Sequence, residues 1–293
     1  MKAIQNFEEL ASHLGGREEK RRVAVACPYD ESTLGAVKRS MDQGFTSPVL
    51  IGEPEKMGPV DWAPCIAATD DDDAAAKAVA LVRKGEADVL MKGLLNTDNL
   101  LKAVLNKETG ILEKGRVLTH LCCAEVPEYP KLLFMTDVAV IPYPTRDQRQ
   151  EQLRYLLELC RKMGVSEPRI ALLNCSEKVN AKHFPFTVEY QELIADTQAG
   201  QYGPCIVDGP LDLKTSLSAA ALHKKGLTSP LEGEADGLIF PDIQAGNVFY
   251  KTITLFGHAR TAAILAGPQV PVVLTSRADA LESKYFSLAL ACI

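Results

Sequence analysis

The sequence lacks the features that mark secreted, zinc-binding and membrane proteins. None of its eight cysteines forms a C-x-x-C pair, and several lie in apolar runs, which favours buried, reduced thiols over zinc ligation or a disulfide framework. No apolar run approaches the roughly 18 residues that predict a membrane span. The N-terminal stretch reads as an amphipathic helix, because Glu8 and Glu9 interrupt the apolar core that a signal peptide needs. We therefore expect a cytoplasmic protein that does not interact with membranes.

The sequence also shows no stripe of clustered Lys and Arg residues. The chain has 32 Lys and Arg against 38 Asp and Glu, which gives a net charge of −6. Nucleic-acid binding requires a clustered positive footprint, so we expect no nucleic-acid partner. Small anionic ligands are compatible with this balance, because a few local Lys, Arg and backbone N–H groups can bind them inside an acidic protein.

The composition is that of a globular protein with a large core. The chain has 293 residues, of which 46% are hydrophobic and 24% charged. At about 150 residues per domain, this length favours two domains. Short apolar runs alternate with segments of helical period, and apolar strands separated by helices are typical of a mostly parallel sheet covered on both faces. The predicted fold class is α/β.

The predicted elements follow this alternation along the chain. Strands are predicted at residues 22–27, 49–51, 87–91, 117–123, 132–135, 170–173, 205–207, 237–240 and 272–274. Helices are predicted at residues 32–43, 98–106, 146–163, 187–197, 214–225, 246–263 and 280–291, and a further helix opens with the aspartates at 70–73. Those aspartates suit the positive end of a helix, so we assign them no metal.

Polar or glycine-containing pairs follow several predicted strands. In parallel sheets, ligands gather where loops leave the carboxyl ends of the strands. The residues at these positions are Lys92-Gly93, Ser176-Glu177, Asp208-Gly209-Pro210, Pro241-Asp242 and Ser276-Arg277. Each pair alone is explained by an ordinary turn, whereas the set together indicates a polar cleft.

Three segments carry the strongest candidate residues. Arg277 is expected at a helix N-terminus, where unpaired N–H groups favour an anion, although a solvated arginine fits the spacing equally well. Gly246, Asn247 and Lys251 offer close backbone approach, hydrogen bonding and charge, or else an ordinary cap and an exposed turn. In the third segment, Lys92 with Gly93 follows a strand, just before Asn96 or Thr97 begins a helix.

At these residues the sequence resembles the phosphate acetyltransferases and phosphate butyryltransferases. The resemblance runs from about Arg21 to the end of the chain. It is carried by ADVLMKGLLNT (87–97), Thr136-Asp137, NCSEKVN (174–180), VDGPLDL (207–213), FPDIQAGNVFYK (240–251) and TSRAD (275–279). The MKG start and the SRAD form favour the butyryl branch.

The resemblance implies a fold and an assembly. It implies two α/β domains with mostly parallel sheets, an architecture like that of isocitrate dehydrogenase, and an active site in the interdomain cleft. The first domain would be discontinuous, with residues 1–141 and 270–293, and the second would comprise residues 142–269. The family also commonly forms homo-oligomers.

The resemblance further implies a reaction between acyl-CoA and inorganic phosphate, with no metal and no bound cofactor. Ser276 would hydrogen-bond the sulfur of coenzyme A, and Arg277 would neutralise phosphate and oxyanion charge. The acetyl branch often has a carboxylate as thiol base seven positions beyond the serine, where this chain has Ser283. Asp279 and Glu282 lie nearby, and we favour Asp279 as the base. The implied substrate-binding residues are Lys92, Gly93, Thr97, Gly246, Asn247 and Lys251.

Ser283 and Lys214, which stands where the family usually has an aspartate, leave other functions open. One alternative is a catalytically silent protein that binds coenzyme A. Another is an acyltransferase of related fold that uses a different acyl carrier, such as acyl-carrier protein. A dehydrogenase of related fold is a third, but it would need a divalent metal held by convergent carboxylates.

Overall fold

The structure is a computed structural model that describes residues 2–277 and 279–293, so Ala278 of the TSRAD segment lies outside the described residues. The chain forms two compact units. The terminal unit comprises Phe7–Leu118 and Thr261–Ile293, and the middle unit comprises Thr119–Arg260 with the stretch that ends at Asn6. These boundaries differ from the crossings expected near residues 141 and 270, and the domain division from the sequence stays a prediction.

Helices and strands alternate along the described chain. The first half contains α1 (Phe7–Gly15), β1 (Arg21–Ala26), α2 (Glu31–Asp42), β2 (Thr46–Gly52), α3 (Pro54–Met57), β3 (Cys65–Ala67), α4 (Asp71–Arg83), β4 (Val89–Lys92), α5 (Thr97–Val104), β5 (Thr119–Glu125) and β6 (Leu133–Thr136). The second half contains α6 (Arg146–Lys162), β7 (Arg169–Leu173), α7 (Phe186–Gln198), β8 (Ile206–Leu211), α8 (Leu213–Leu217), α9 (Ala219–Lys224), β9 (Gly237–Ile239), α10 (Ile243–Leu255), β10 (Arg260–Ala266), β11 (Val272–Val273) and α11 (Leu281–Cys292).

In the terminal unit, the direction in which the chain adds strands to the sheet reverses at β1. The order is β3-β2-β1-β4-β11-β10. Neighbouring strands are parallel from β3 to β11, and only the pairing of β11 with β10 is antiparallel. The chain runs outward from β1 to β3 and then returns to β4 on the other side of β1. Right-handed crossovers in opposite directions put α2 and α4 on opposite faces, and ligands bind outside the carboxyl ends of the strands at such a reversal.

The core of the terminal unit includes an almost entirely buried helix. In α11, every residue from Lys284 to Cys292 is buried. The ring of Phe286 stacks on that of Phe7 in α1, with centroids 4.9 Å apart. A helix that is apolar on nearly all sides is stable only when it is covered on all sides. The lysine at the start of this helix is therefore an exception that needs a partner.

The middle unit contributes five strands to the sheet. The strand order is β5-β6-β9-β7-β8, in which β5 is antiparallel to β6 and the remaining pairs are parallel. Helix α6 packs on β6 and β9, and α7 packs on β8. No helix within residues 2–277 and 279–293 has the length and apolar character needed to cross a membrane.

The predicted α/β class with mostly parallel strands is confirmed, but two predicted helices were wrong in extent. The helix predicted at residues 246–263 ends at Leu255, and β10 follows it. The alanines of β10 favour a helix locally, whereas antiparallel pairing of Leu265 with Val272 stabilises a strand. The helix predicted at residues 214–225 divides at Ser218, whose side chain caps α9.

Candidate active site

A pocket of about 550 Å³ lies at the carboxyl ends of β4 and β11 in the terminal unit. Its lining residues are Lys92, Asn96, Thr97, Asp98, Leu274, Thr275, Ser276 and Arg277. Four of the predicted site residues therefore lie around one cavity, although they come from two segments far apart in the sequence. The parallel pairing of β4 with β11 brings these segments together, because it places both carboxyl ends at the same edge of the sheet.

The loop after β11 is held by Asp279 and Asn96. The backbone N–H of Ser276 donates to Oδ2 of Asp279 at 2.7 Å, and the N–H of Asp279 donates to the carbonyl of Ser276 at 3.2 Å. Nη2 of Arg277 donates to Oδ1 of Asn96 at 2.6 Å. Asn96 stands at the N-cap position of α5, but its side chain makes no cap hydrogen bond. Its amide thus orients Arg277, a role that its sequence position did not indicate.

Lys92 is the last residue of β4 and is buried, with 1% of its surface exposed. Its Nζ donates to the carbonyls of Gly93 at 3.0 Å and Leu95 at 3.2 Å. Since an ammonium group has three donors, one remains for a ligand. Burial, and after it the nearby positive charge of Arg277, lower the pKa of Lys92 to about 8. At pH 7 about ten such lysines are charged for each neutral one.

Gly93 has a packing role and is not among the residues that line the pocket. A Cβ at this position would lie 2.1 Å from the carbonyl oxygen of Cys27. The N–H of Gly93 donates to Ala26 at 2.8 Å, and that of Leu94 donates to Cys27 at 2.7 Å. Gly93 therefore lets the loop after β4 lie against the end of β1, which fixes the carbonyl that accepts from Lys92. Its predicted contact with substrate stays a prediction.

An ion pair between a buried lysine and a half-buried aspartate, which the sequence did not reveal, joins α11 to α2. Nζ of Lys284 lies 2.8 Å from Oδ1 of Asp30 and 3.0 Å from Oγ1 of Thr33. Burial raises the pKa of Asp30, but hydrogen bonds from Lys284, Ser32 and Thr33 outweigh it and hold that pKa well below its usual range. A lysine inside an otherwise apolar helix was the signal that could have identified this pair.

Both ends of the Asp30–Lys284 pair influence the pocket. The charge of Lys284 lowers the pKa of Lys92, whereas Asp30 and Asp279 raise it. The groups that act on Lys92 thus include two cations, Arg277 and Lys284, and two carboxylates. Lys92 itself adds a third cation when protonated. Of the charged residues that line the pocket, Lys92 and Arg277 are cations and Asp98 is a carboxylate, so the lining has a positive balance that suits an anionic ligand although the whole chain is acidic.

The remaining predicted site residues lie in the middle unit, on α10. Asp242 caps this helix by accepting from the N–H of Ala245, so Gly246 and Asn247 lie inside the helix and do not begin it. A Cβ on Gly246 would lie 2.3 Å from the carbonyl oxygen of Asp137. Nδ2 of Asn247 donates to the carbonyl of Val138 at 2.9 Å. Both residues therefore pack against the segment that follows β6.

Lys251 lies one turn further along α10 and is exposed. Lys251 belongs to the middle unit, as do Gly246 and Asn247. Its predicted contact with substrate, like those of Gly246 and Asn247, stays a prediction.

Asp137 organises the segment that Gly246 and Asn247 contact. Its Oδ1 accepts from the N–H groups of Ala139 at 2.8 Å and Val140 at 2.9 Å. Its Oδ2 accepts from the hydroxyl of Thr119 at 2.8 Å and from the N–H of Ile141 at 3.2 Å. A buried carboxylate with this many donors positions backbone. The Thr136-Asp137 match to the family therefore has a structural reason.

Of the two departures from the family pattern, Ser283 lies half-buried in the first turn of α11, and Lys214 lies on the surface. Lys214, in the first turn of α8, is exposed. Asp212 caps α8 by accepting from Thr215 at 2.7 Å and pairs with Lys225 at 2.6 Å. Burial raises the pKa of Asp212, but these hydrogen bonds lower it to about 2. Lys225 also pairs with Glu177 at 2.6 Å, so Glu177 and Asp212 share one cation.

The fold and the pocket define an α/β protein with a polar cavity at the carboxyl ends of parallel strands. The family profile described as Phosphate acetyl/butaryl transferase matches residues 62–292. The chain belongs to this family and is an acyltransferase.

Individual relatives cover almost the whole chain. The phosphate butyryltransferase of Clostridium acetobutylicum is 37% identical and aligns over 99% of this chain and 98% of its own length. The phosphate acetyltransferase of Thermotoga maritima is 36% identical over 98% of this chain and 99% of its own. The crystal structure of a branched-chain phosphotransacylase from Enterococcus faecalis has a TM-score of 0.83 and 34% identity, covering 92% of this chain and 97% of that one.

Proposed function

We propose that the chain catalyses reversible transfer of a short acyl group, with butyryl favoured, between coenzyme A and inorganic phosphate. The observation that carries the proposal is the pocket at β4 and β11, where Lys92 and Arg277 supply positive charge beside Ser276. Family membership supports the same reaction, and the butyryl preference follows the relatives named phosphate butyryltransferase, of which one is 37% identical. The reaction requires no metal and no bound cofactor.

The main requirement of the proposed reaction is to neutralise the negative charge that develops during acyl transfer. A phosphate oxygen attacks the carbonyl carbon of the thioester, a C–O bond forms, the C–S bond breaks, and the coenzyme A thiolate leaves and takes up a proton. Negative charge first concentrates on the carbonyl oxygen. Fixed donors aimed at such an oxyanion contribute about 3–4 kcal/mol to catalysis. In this proposal Arg277 supplies that stabilisation, and its hydrogen bond to Asn96 orients the guanidinium.

Lys92 and Ser276 complete the proposed roles. The free donor of Lys92 binds phosphate, with Thr97 beside it at the start of α5. Ser276 hydrogen-bonds the sulfur of coenzyme A. Asp279 stays the proposed thiol base, although its Oδ2 already accepts from the N–H of Ser276. That contact supports an additional role for Asp279 in holding the loop on which Ser276 and Arg277 lie.

We further propose a homo-oligomer acting in the cytoplasm. Three exposed apolar side chains on α10 and at its C-cap support self-association: Val248, Leu255 and Phe256. Light scattering on a sizing column measures the assembly, and a single species of monomer mass at assay concentration would contradict it. The cytoplasmic location stays a prediction of the sequence.

A thiol-release assay tests the proposed reaction. Purified protein is mixed with acetyl-, butyryl- or palmitoyl-CoA, with and without phosphate, and free coenzyme A is followed with a thiol reagent. We expect phosphate-dependent release, fastest with butyryl-CoA, and a loss of about 10²–10³-fold in Arg277→Ala. Arg154→Ala is the matched control, because Arg154 is an exposed arginine on α6 in the middle unit. Binding of coenzyme A without any turnover would replace the proposal with a silent coenzyme A-binding protein.

A further inference from the structure

The pocket contains a buried hydroxyl that none of the proposed roles uses. Thr275 lies two residues beyond the end of β11, is 7% exposed, and lines the pocket with Lys92 and Arg277. Its Oγ1 has no hydrogen-bond partner among residues 2–277 and 279–293. A buried hydroxyl that has given up water without gaining a partner costs free energy, so native proteins rarely leave one without a reason.

The hydroxyls of the other buried threonines in the described part of the chain do have hydrogen-bond partners. Within the described residues, Thr275 is the exception among the buried threonines, because each of the others has a side-chain hydrogen bond. These others are Thr33, Thr46, Thr119, Thr136, Thr187, Thr197 and Thr215. Their partners are carboxylates, hydroxyls or carbonyls inside the fold. The hydroxyl of Thr275 instead belongs to a residue that lines an open cavity.

The charged groups around Thr275 indicate which class of ligand its hydroxyl binds. Lys92 Nζ and the guanidinium of Arg277 make the cavity positive, and both are donors without acceptor capacity. Of the carboxylates at this end of the sheet, Asp279 accepts from the backbone of Ser276, and Asp98 lines the pocket without a hydrogen bond to Thr275. A ligand for this cavity must therefore be rich in acceptor oxygens and negatively charged. Inorganic phosphate has both properties, and a thioester carbonyl has a single neutral acceptor.

We infer that Thr275 is a phosphate-binding residue of the acyl-transfer site, whose hydroxyl donates to an oxygen of the phosphate held by Lys92 and Arg277. This inference rests on the proposed function and adds a contact to it. Thr275 keeps its proton throughout. It holds one phosphate oxygen while another attacks the thioester carbonyl carbon and the coenzyme A thiolate departs.

The test compares Thr275→Val with Thr275→Ser. Valine keeps the β-branched shape and removes the hydroxyl, whereas serine keeps the hydroxyl. We expect Thr275→Val to raise the KM for phosphate about tenfold or more, as the loss of a hydrogen bond to a charged group does, and to leave the KM for acyl-CoA within about twofold. Thr275→Ser is expected to stay within about threefold of the wild type for both substrates.

Two further readouts separate binding from folding. Calorimetric titration of inorganic phosphate into each protein, without acyl-CoA, is expected to show the same loss of affinity in Thr275→Val. The melting temperature of Thr275→Val is expected to equal or exceed that of the wild type, because the valine methyl replaces an unpaired hydroxyl. A drop in melting temperature that phosphate does not relieve would assign the hydroxyl a structural role and overturn the inference.

The outcomes distinguish this inference from the function on which it rests. If the wild type releases no coenzyme A with phosphate, the proposed function fails. If the wild type reacts and Thr275→Val has an unchanged phosphate KM, the inference fails alone. A change confined to the KM for acyl-CoA would also overturn it, since the hydroxyl would then contact the other substrate.

Discussion

Lys284 on α11 and Asp30 at the start of α2 form a partly buried ion pair 2.8 Å long between residues 254 positions apart in the sequence. The lysine side chain is 1% exposed and the aspartate 20%. Because α11 follows the loop of Ser276 and Arg277, this pair anchors the end of the segment that forms one wall of the pocket. It also contributes to the charge that surrounds Lys92.

Removing one partner of the Asp30–Lys284 pair is expected to destabilise the terminal unit. Asp30→Ala leaves a buried ammonium without its counter-ion, at a cost of about 3–5 kcal/mol. Lys284→Met leaves a half-buried carboxylate without its cation and is expected to cost less, because the hydroxyls of Ser32 and Thr33 still donate to Asp30. Urea unfolding followed by fluorescence measures the change. The double variant is expected to recover part of the loss, since neither charge is then stranded. Equal midpoints for the wild type and both single variants would contradict the account.

The same pair predicts a dependence of stability on pH. The folded pKa of Asp30 lies below its unfolded value, so its ionisation stabilises the fold above the unfolded pKa of about 3.9. That contribution is lost as the pH falls through the folded pKa. In Asp30→Asn, the fall in melting temperature below pH 4 is expected to be shallower than in the wild type. An unchanged slope would mean that the aspartate is not selectively stabilised in its charged form.

Phosphate binding is expected to weaken as Lys92 loses its proton. With a pKa of about 8, the charged fraction of Lys92 falls about eightfold between pH 7.5 and pH 9, and the phosphate KM should rise by a similar factor. Lys92→Met is expected to have a high phosphate KM that no longer changes over this range. Lys38→Met, a change at an exposed lysine of α2, serves as the control and should keep the wild-type profile. A wild-type profile in Lys92→Met would assign the titration to another group.

Gly93→Ala is expected to damage both stability and phosphate affinity. Its Cβ would lie 2.1 Å from a backbone oxygen of Cys27, so the loop after β4 must move, at a cost of about 1–3 kcal/mol or more. The same movement displaces the carbonyl that accepts from Lys92. Gly16→Ala is the control, because the nearest atom to its Cβ is 3.7 Å away. Chemical denaturation and phosphate titration of both variants check the expectation, which fails if they behave alike.

The sequence was sufficient for the α/β class and for the pocket residues at or just beyond the carboxyl ends of strands. Lys92, Ser276 and Arg277 were identifiable because a parallel sheet places the carboxyl ends of its strands at one edge, and this rule needs no knowledge of packing. The alternation of apolar runs with helical segments likewise indicated the parallel sheets. These signals are local or depend only on strand direction.

The features that the sequence did not reveal depend on contacts between distant segments. Asp30 and Lys284 each look ordinary until the packing of α11 on α2 brings them together. The strand β10 was assigned to a helix because its alanines favour one, and its pairing with β11 decides otherwise. The unpaired hydroxyl of Thr275 is visible only when every donor and acceptor around it has been located. Such properties arise from tertiary structure and have no local pattern.

The central claim is that phosphate, and not water, receives the acyl group. The most direct measurement incubates the wild-type protein with butyryl-CoA and phosphate and quantifies both products, free coenzyme A by thiol reagent and acyl phosphate by phosphorus NMR. The account predicts equal amounts of the two products, and the loss of both in Arg277→Ala. Release of coenzyme A without acyl phosphate would identify a thioester hydrolase, and the absence of both products from the wild type would contradict the assigned reaction.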